Sequence, residues 1–415
     1  MRHVGSGENI AVRFLFSFTG GSGHFLPTAP YARVLARRGH EILYTCQERT
    51  LGMVAAQGWQ VEPSGGASLL DLEARRPLVP VDRKTEERAV RTFFAGRAAE
   101  ERAGRLVSLI ERWQPDLVVR DEMDFGAAVA AEAVEVPHAA VVVMAAGGFT
   151  KPDVVQEPLA ALRAQHRLDP GGAMEMLHRF LTLVPVPPSY RNPQDPLPAT
   201  ARWVQPAIFE HFPLEWRATS EADGHVPRVY FTLGTIFPQE SGDLFRRVLS
   251  GLRRLPVDVT VTTGEAIAAE ELGRQPATVR IERFLPLEEA LAASDIVVSH
   301  GGSGTVISAL ALGLPQLLLP MGADQPNNAD RCQDLGVGLA LDSVKASPAE
   351  IADAVTAMLQ TTGYRRKAVS LAKDSRTLID AEQAGSLLET VAWTGSPITT
   401  MDRGQAGWER YDITT

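Results

Sequence analysis

Apolar residues recur along the chain in two alternating forms, short unbroken runs and longer segments with helical spacing. Val12-Arg13-Phe14-Leu15-Phe16-Ser17-Phe18 is the first run and has the length of a strand. It leads through Thr19-Gly20-Gly21-Ser22-Gly23-His24 into a helical segment over about 26–38 that Gly39 ends. Pro27 and Pro30 suit that helix only in its first turn, where a missing N–H breaks no bond. Glu41 to Cys46 is a second strand. A polar, helical stretch follows over about 85–113 and carries Phe93 and Phe94. The run from Pro115 through Val119 continues into Arg120, Asp121, Glu122, Met123 and Asp124, so this strand ends in an acidic loop. A helix over 126–134 and a strand over 138–144 come next. Strands alternating with helices predict a parallel sheet with helices on both faces.

From Leu183 to about Pro227 the periodicity fails and prolines crowd the chain, and Ser220-Glu221-Ala222-Asp223-Gly224-His225 reads as a polar surface tether. The segment is expected to connect two domains. A second series then begins with a strand from Arg228 to Leu233 that closes on Gly234-Thr235. A helix over 241–254 and strands over 257–262 and 278–283 follow, then a strand ending at His300. Beyond it come a strand over 315–319, a helix near 327–335, a strand over 337–341 and helices to about Thr394. The expected class is α/β, with two Rossmann-like, doubly wound parallel-sheet domains over 1–215 and 216–395 and a tail over 396–415. No repeat of solenoid period is visible.

Size and charge narrow the picture. A chain of 415 residues is too long for one core, which agrees with two domains. A net charge of −9 argues against a nucleic-acid or anionic-membrane surface, since either needs a basic patch. No signal peptide is visible, and the first apolar run is far below the ~20 residues of a membrane span. Cys46 and Cys332 lie far apart without metal-ligand spacing, and read as reduced thiols of a cytoplasmic protein.

The chemistry centres on Asp295-Ile296-Val297-Val298-Ser299-His300-Gly301-Gly302-Ser303-Gly304-Thr305-Val306-Ile307. A β-branched run ends on a histidine, a glycine-rich turn follows, and helical spacing resumes at Val306, Ala309, Leu310 and Gly313. Free N–H groups at such a helix start point at a bound phosphate, and the glycines let it approach. Thr305 adds a hydroxyl donor and His300 a ring N–H. Many such turns are merely tight, but this one lies between Arg283-Phe284-Leu285-Pro286-Leu287 and Leu319-Pro320-Met321-Gly322-Ala323-Asp324-Gln325-Pro326-Asn327. From Phe284 to Gln325 the chain resembles the donor-binding signature of two-domain nucleotide-sugar glycosyltransferases of the GT-B type. In particular it resembles the actinobacterial enzymes that glycosylate macrolides, enediynes and other natural products.

Ligands of open α/β sheets bind outside the carboxyl ends of the strands. His24, Asp121, Thr235 and His300 all directly follow strands, so they can line one cleft between facing domains. A histidine suits removal of the acceptor's proton, because its pKa lies near the working pH. The Gly-x-Gly-His ending at His24 matches the family's catalytic position. Asp121 resembles the family's aspartate, which would fix the histidine tautomer and stabilise the imidazolium. Glu122 and Asp124 compete with it: Glu122 inherits the role if strand alternation turns Asp121 away, and Asp124 reads equally as a helix N-terminal acid.

On the donor side the resemblance assigns Phe284 to base stacking and the backbone of Leu285 to the pyrimidine edge. It assigns Thr235, His300, Gly301, Gly302, Ser303, Gly304 and Thr305 to the diphosphate loop, and Asp324 and Gln325 to sugar hydroxyls. Asp324 has the plainer reading of a helix cap. Leu287 departs from the glutamine of plant enzymes, and Ser308 stands where they carry a ribose-binding glutamate. A 2′-deoxyribose leaves such a carboxylate unpaired, so Ser308 favours a dTDP-sugar as co-substrate. The resemblance implies an inverting hexosyltransferase that needs neither cofactor nor metal. His138, inside an apolar run, reads as a satisfied core residue.

The expected partner is a hydrophobic small molecule of polyketide, macrolide or enediyne type. Its pocket is expected to draw on Phe93, Phe94, Met123, Phe125 and Met144, residue types that serve equally well in a core. A homodimer stays open. Three other readings compete: a nucleotide-sugar 2-epimerase on the same plan, a non-catalytic glycosyltransferase-like auxiliary protein, and a nicotinamide oxidoreductase. The last is weakened by Leu26, which replaces the third glycine of the dinucleotide fingerprint.

Overall fold

The computed structural model describes residues 11–66, 75–212 and 225–399. The first of two sheets holds seven parallel strands: β1 (Arg13–Ser17), β2 (Glu41–Cys46), β3 (Val61–Pro63), β4 (Leu117–Asp121), β5 (His138–Val141), β6 (Leu181–Val184) and β7 (Ala201–Trp203). They lie in the order β3-β2-β1-β4-β5-β6-β7. The second sheet holds β8 (Arg228–Thr232), β9 (Asp258–Thr262), β10 (Val279–Glu282), β11 (Ile296–Ser299), β12 (Gln316–Leu318) and β13 (Gly338–Ala340), in the order β10-β9-β8-β11-β12-β13. The α/β class with two doubly wound parallel sheets is therefore as expected.

Both faces of the first sheet are covered, which is why its strands read as apolar runs without alternation. Phe14, Phe16, Val119, Val141 and Leu183 form one buried face, and Leu15, Leu43 and Val118 the other. Each sheet changes winding direction once, between β1 and β4 and between β8 and β11. Such switch points open a crevice at the strand ends. His24 follows β1, Asp121 ends β4, Thr235 follows β8 and His300 follows β11. All four candidate residues thus stand at the two switch points.

The structure differs from the expectation in three places. Helical turns begin at Ser22 rather than 26, because the chain reverses at Gly20 (φ 108°) and not at the prolines. Pro27 and Pro30 instead divide the segment into a helical turn, a 3₁₀ turn at Leu26–Thr28 and a helix at Ala29–Arg37. The proline-rich stretch is not all connection, since β7 adds an edge strand there, where proline's missing donor does least harm. The helix Ala381–Thr394, placed by sequence in the second domain, packs on the first. Ala384, Leu388 and Val391 join the core of the first sheet, and Arg38 Nη1 donates to Glu389 at 2.7 Å. The boundary at 215/216, the tether residues 220–224 and the tail beyond 399 lie outside the described residues.

The domains also meet through a buried apolar surface. Val142, Ala145, Ala146 and Tyr190 of the first share a buried cluster with Val306, Ile307, Leu310 and Ala329 of the second.

Candidate active site

His24 is placed by a glycine. A side chain on Gly20 would put its Cβ 2.8 Å from the imidazole Cδ2, so only a bare backbone lets the ring lie where it does. His24 Nδ1 stands 3.4 Å from Asp121 Oδ2, close enough for charge coupling but without hydrogen-bond alignment in this conformation. Catalytic pairs often tighten only around bound substrate. Burial lowers the His24 pKa, but Asp121 above all, with Asp324 and Glu122, raises it by more, so the net value lies above that of a free histidine. Asp121 has a second task. Its Oδ2 accepts from Thr19 N at 2.7 Å and its Oδ1 from Met123 N at 2.6 Å, which ties the loops after β1 and β4 together.

The three acids part at the end of β4, where Asp121 closes the strand and Glu122 and Asp124 lie in the turn beyond it. Asp121 faces His24, and Glu122 is turned to the backbone after β5. Glu122 Oε1 accepts from Val143 N at 2.8 Å and Met144 N, and burial pushes this carboxyl up to about 6. Asp124 caps the next helix at Ala127 N and pairs with Arg102 in the interior, where Ser17 Oγ also donates to it. Arg102 keeps Asp124 ionised despite its burial. His138 lies in the core as expected but is only half satisfied: Arg120 Nε donates to its Nδ1 at 3.4 Å, its buried Nε2 has no partner among the described residues, and burial holds it neutral.

The expected acceptor residues divide. Phe94 lies parallel to the His24 ring, with centroids 6.5 Å apart and planes 11° apart, and Phe93 meets Phe94 edge-on. Their placement depends on an irregularity. The segment Val90–Ala98 is wound as a π-helix that breaks at Gly96 (φ −101°, ψ −108°), and such bulges often mark functional sites. Met144 is half-buried. Met123 and Phe125 lie in the core instead, 1% and 0% exposed, because they pack under the helix Ala99–Trp113 and offer a ligand no surface.

Across the interface His300 is held between two glycines. A Cβ on Gly234 would lie 2.8 Å from its Cε1, and one on Gly302 would lie 2.6 Å from its Nε2. Burial lowers His300 to about 4, so it is a neutral imidazole, and its Nδ1 has no partner among the described residues. The helix Ser303–Ala311 starts beyond, with Gly302 as its N-cap and no side chain capping it. The amides of Ser303, Gly304 and Thr305 therefore have no intrahelical acceptor. Gly301 takes φ 88°, which only glycine adopts without strain. Thr235 Oγ1 reaches Ser22 Oγ, 3.2 Å away in the His24 loop, which brings the two loops together. Phe284 is 71% exposed, a bare ring at the rim, and Leu285 beside it is half-buried.

Sequence reasoning missed a clasp between the domains. Ala145 N donates to Ser303 Oγ at 2.7 Å, and Ser303 Oγ in turn donates to Asp324 Oδ2. Asn328 Nδ2 also donates to Asp324, at 2.8 Å, and Ala146 N donates to Asn328 Oδ1 at 3.2 Å. Asp324 is thus not a side-chain helix cap. Burial raises its pKa, against the pull of Ser303 and Asn328. Gln325 is 1% exposed and its Oε1 accepts from Met321 N and Gly322 N, so it shapes its own loop in this conformation. Among the described residues, no group of three or more His, Cys, Asp or Glu could hold a metal ion, and no helix is long and apolar enough to cross a membrane.

Paired parallel sheets meeting at their switch points are the GT-B arrangement, and solved structures share this fold. The calicheamicin glycosyltransferase CalG4 superposes with a TM-score of 0.74 at 22% identity, covering 94% of this chain and 100% of that one. The glycosyltransferase VinC in complex with dTDP gives a TM-score of 0.68 at 23% identity, covering 92% and 99%. Models of the N- and C-terminal domains of the erythromycin biosynthesis protein CIII-like family match residues 35–201 and 246–382. The chain belongs to that family and is a nucleotide-sugar-dependent glycosyltransferase of the actinobacterial natural-product group. Among its relatives, the elloramycin glycosyltransferase of Streptomyces olivaceus is 28% identical over 94% of this chain and 100% of that protein. The 4′-demethylrebeccamycin synthase of Lentzea aerocolonigenes is 26% identical over 87% and 95%.

Proposed function

We propose that the protein transfers a deoxysugar from a dTDP-sugar to a hydroxyl of a hydrophobic natural product, with inversion at the anomeric carbon, in antibiotic biosynthesis in the cytoplasm. The observation that carries the reading is the His24–Asp121 pair facing an uncapped helix N-terminus across the two switch points. His24 Nε2 takes the acceptor proton as the acceptor oxygen attacks the anomeric carbon. The bond from that carbon to the diphosphate oxygen breaks as the new one forms, and no enzyme nucleophile is needed. Asp121 stabilises the imidazolium that results. The leaving diphosphate settles on the amides of Ser303, Gly304 and Thr305, with the Thr305 hydroxyl and the neutral His300 as further donors and no metal taking part. Phe284 stacks on the base and leaves the pyrimidine free to be thymine. Ser308, half-buried on the same helix, offers no carboxylate to a 2′-hydroxyl. Phe93 and Phe94 wall the acceptor beside the base.

Relatives named for elloramycin, rebeccamycin and desosamine chemistry, and neighbours bound to thymidine diphosphate, support this reading of donor and acceptor. The test is mass spectrometry of products from matched dTDP- and UDP-sugars with polyketide acceptors, followed by NMR of the anomeric centre. Retained configuration at that carbon rejects the one-step displacement.

A further inference from the structure

A cavity of ≈ 380 Å³ opens where Glu122 after β4, Val142 after β5 and Thr182 of β6 meet the segments around residues 150–153 and 191–198. Its volume falls in the range of small-ligand sites, roughly 300–1,000 Å³. Glu122 lines it and is 5% exposed. One of its oxygens takes both backbone amides of the Val143–Met144 turn, while Oε2 has no partner among the described residues. That second oxygen lines the cavity as an accessible acceptor on an otherwise buried side chain, and a donor arriving from outside can take it.

The neighbouring cations have other hydrogen-bond partners, although the charge of Arg191 still pulls the Glu122 carboxyl down against its burial. Arg191 donates to Asp195 Oδ2 at 2.7 Å and to Met144 O at 3.1 Å, and Lys151 reaches Glu87 at 3.1 Å. His178 is neutral, since burial and then Arg120 lower it to about 4. Asp153 and Asp195 also line the cavity, the latter already paired with Arg191. The open valence is therefore that of an acid facing uncommitted space.

We infer that this cavity is a second binding site, which takes a protonated amine on a small polyol-sized group, with an N–H donated to Glu122 Oε2. A charged donor is preferred over a hydroxyl because charge-assisted hydrogen bonds are roughly twice as strong as neutral ones. The amine arrives either as an arm of the acceptor, which reaches the cavity past Met144, or as a separate molecule; only the first source rests on the transferase reading.

The probe is N-methyl-D-glucamine compared with the uncharged polyol sorbitol, titrated into the full chain by ligand-observed NMR at a pH above the value of about 6 for Glu122. The amine is expected to bind with Kd on the order of 1 mM, as suits a fragment of this size, and sorbitol about tenfold more weakly or worse. Glu122→Gln keeps an oxygen for the two amides and should erase the difference. Leu197→Trp, which puts a larger side chain on the cavity wall, should abolish binding of both. Equal Kd values for the two probes, or a preference for the amine that survives Glu122→Gln, would overturn the inference. Competition by the amine against acceptor in the transfer assay assigns the site to an acceptor arm, and binding without competition assigns it to a separate ligand. The binding measurement needs no turnover, so a failed transferase assay and an empty cavity give different results.

Discussion

The two halves of the molecule carry the same device, a strand, a glycine-rich loop and a helix start with a histidine in it, yet the two histidines are tuned in opposite directions. His24 lies within the helical turn Ser22–Phe25 and faces a buried aspartate, which against the effect of burial holds it above the ordinary value. His300 is wedged between two glycines with no carboxylate acting on it among the described residues, and burial drives it down to about 4. On the proposed reading, the ring that takes up the acceptor's proton is the one paired with an anion, and the ring that meets the diphosphate is the neutral one, able to give an N–H. The lesson is that the motif supplies position, while the neighbouring acid decides the chemistry.

His24→Ala is the sharpest way to break the comparison. It should lower kcat by ~10²–10⁴, the usual worth of a general base, and leave dTDP affinity nearly unchanged. Steady-state kinetics with calorimetric titration of dTDP measures both, and near-normal turnover would end the assignment. Asp124→Ala should cost about 3–5 kcal/mol of stability, since it strands the buried Arg102, and the loss would appear in denaturant unfolding.

Asp121→Asn should act less strongly than His24→Ala and reveal itself by pH. The base works only when neutral, so activity falls as pH drops through the raised His24 value. Without the anion, burial dominates and that value falls, so the acidic limb of the kcat/KM profile should move to lower pH. An unmoved limb would separate Asp121 from the base. The variant should also lose about 1–3 kcal/mol of stability, because an amide nitrogen would face one of two buried N–H donors.

Gly302→Ala sharpens the other side. A Cβ 2.6 Å from the His300 ring forces the imidazole aside, and overpacking of this kind costs about 1–3 kcal/mol. The cost should appear as weaker dTDP binding while the acidic limb stays in place. The smallest effect is expected for Ser308→Glu. It should move the kcat/KM ratio of matched dTDP- and UDP-sugars toward UDP by no more than about 1–3 kcal/mol. No shift would place donor choice in the sugar contacts.

Much of this was legible locally. Strands buried on both faces announce themselves as apolar runs, so β1, β2, β8, β9 and β11 fell where the sequence put them. The Gly-Gly-Ser-Gly-His and His-Gly-Gly-Ser-Gly-Thr loops stand at strand ends for the same reason. Contacts made across the interface were not legible. The bond from Ala145 N to Ser303 joins residues 158 apart, and no local pattern encodes it. Met123 and Phe125 misled because core and ligand pocket use the same side chains, and only the helix above them decides. β7 hid among prolines, which an edge strand tolerates.

The helix Ala381–Thr394 has a practical meaning for hybrid enzymes. Chimeras are naturally cut near the middle of such a chain, so as to join one parent's acceptor half to another's donor half. In this protein that cut would leave Ala384, Leu388, Val391 and Glu389 with the donor parent, although all four are seated on the acceptor parent's half. A working exchange needs two crossovers, the second just before Asp380, so that the last helix travels with the surface it fits. Grafts made with a single crossover should express poorly for want of a matched helix, however compatible their active sites.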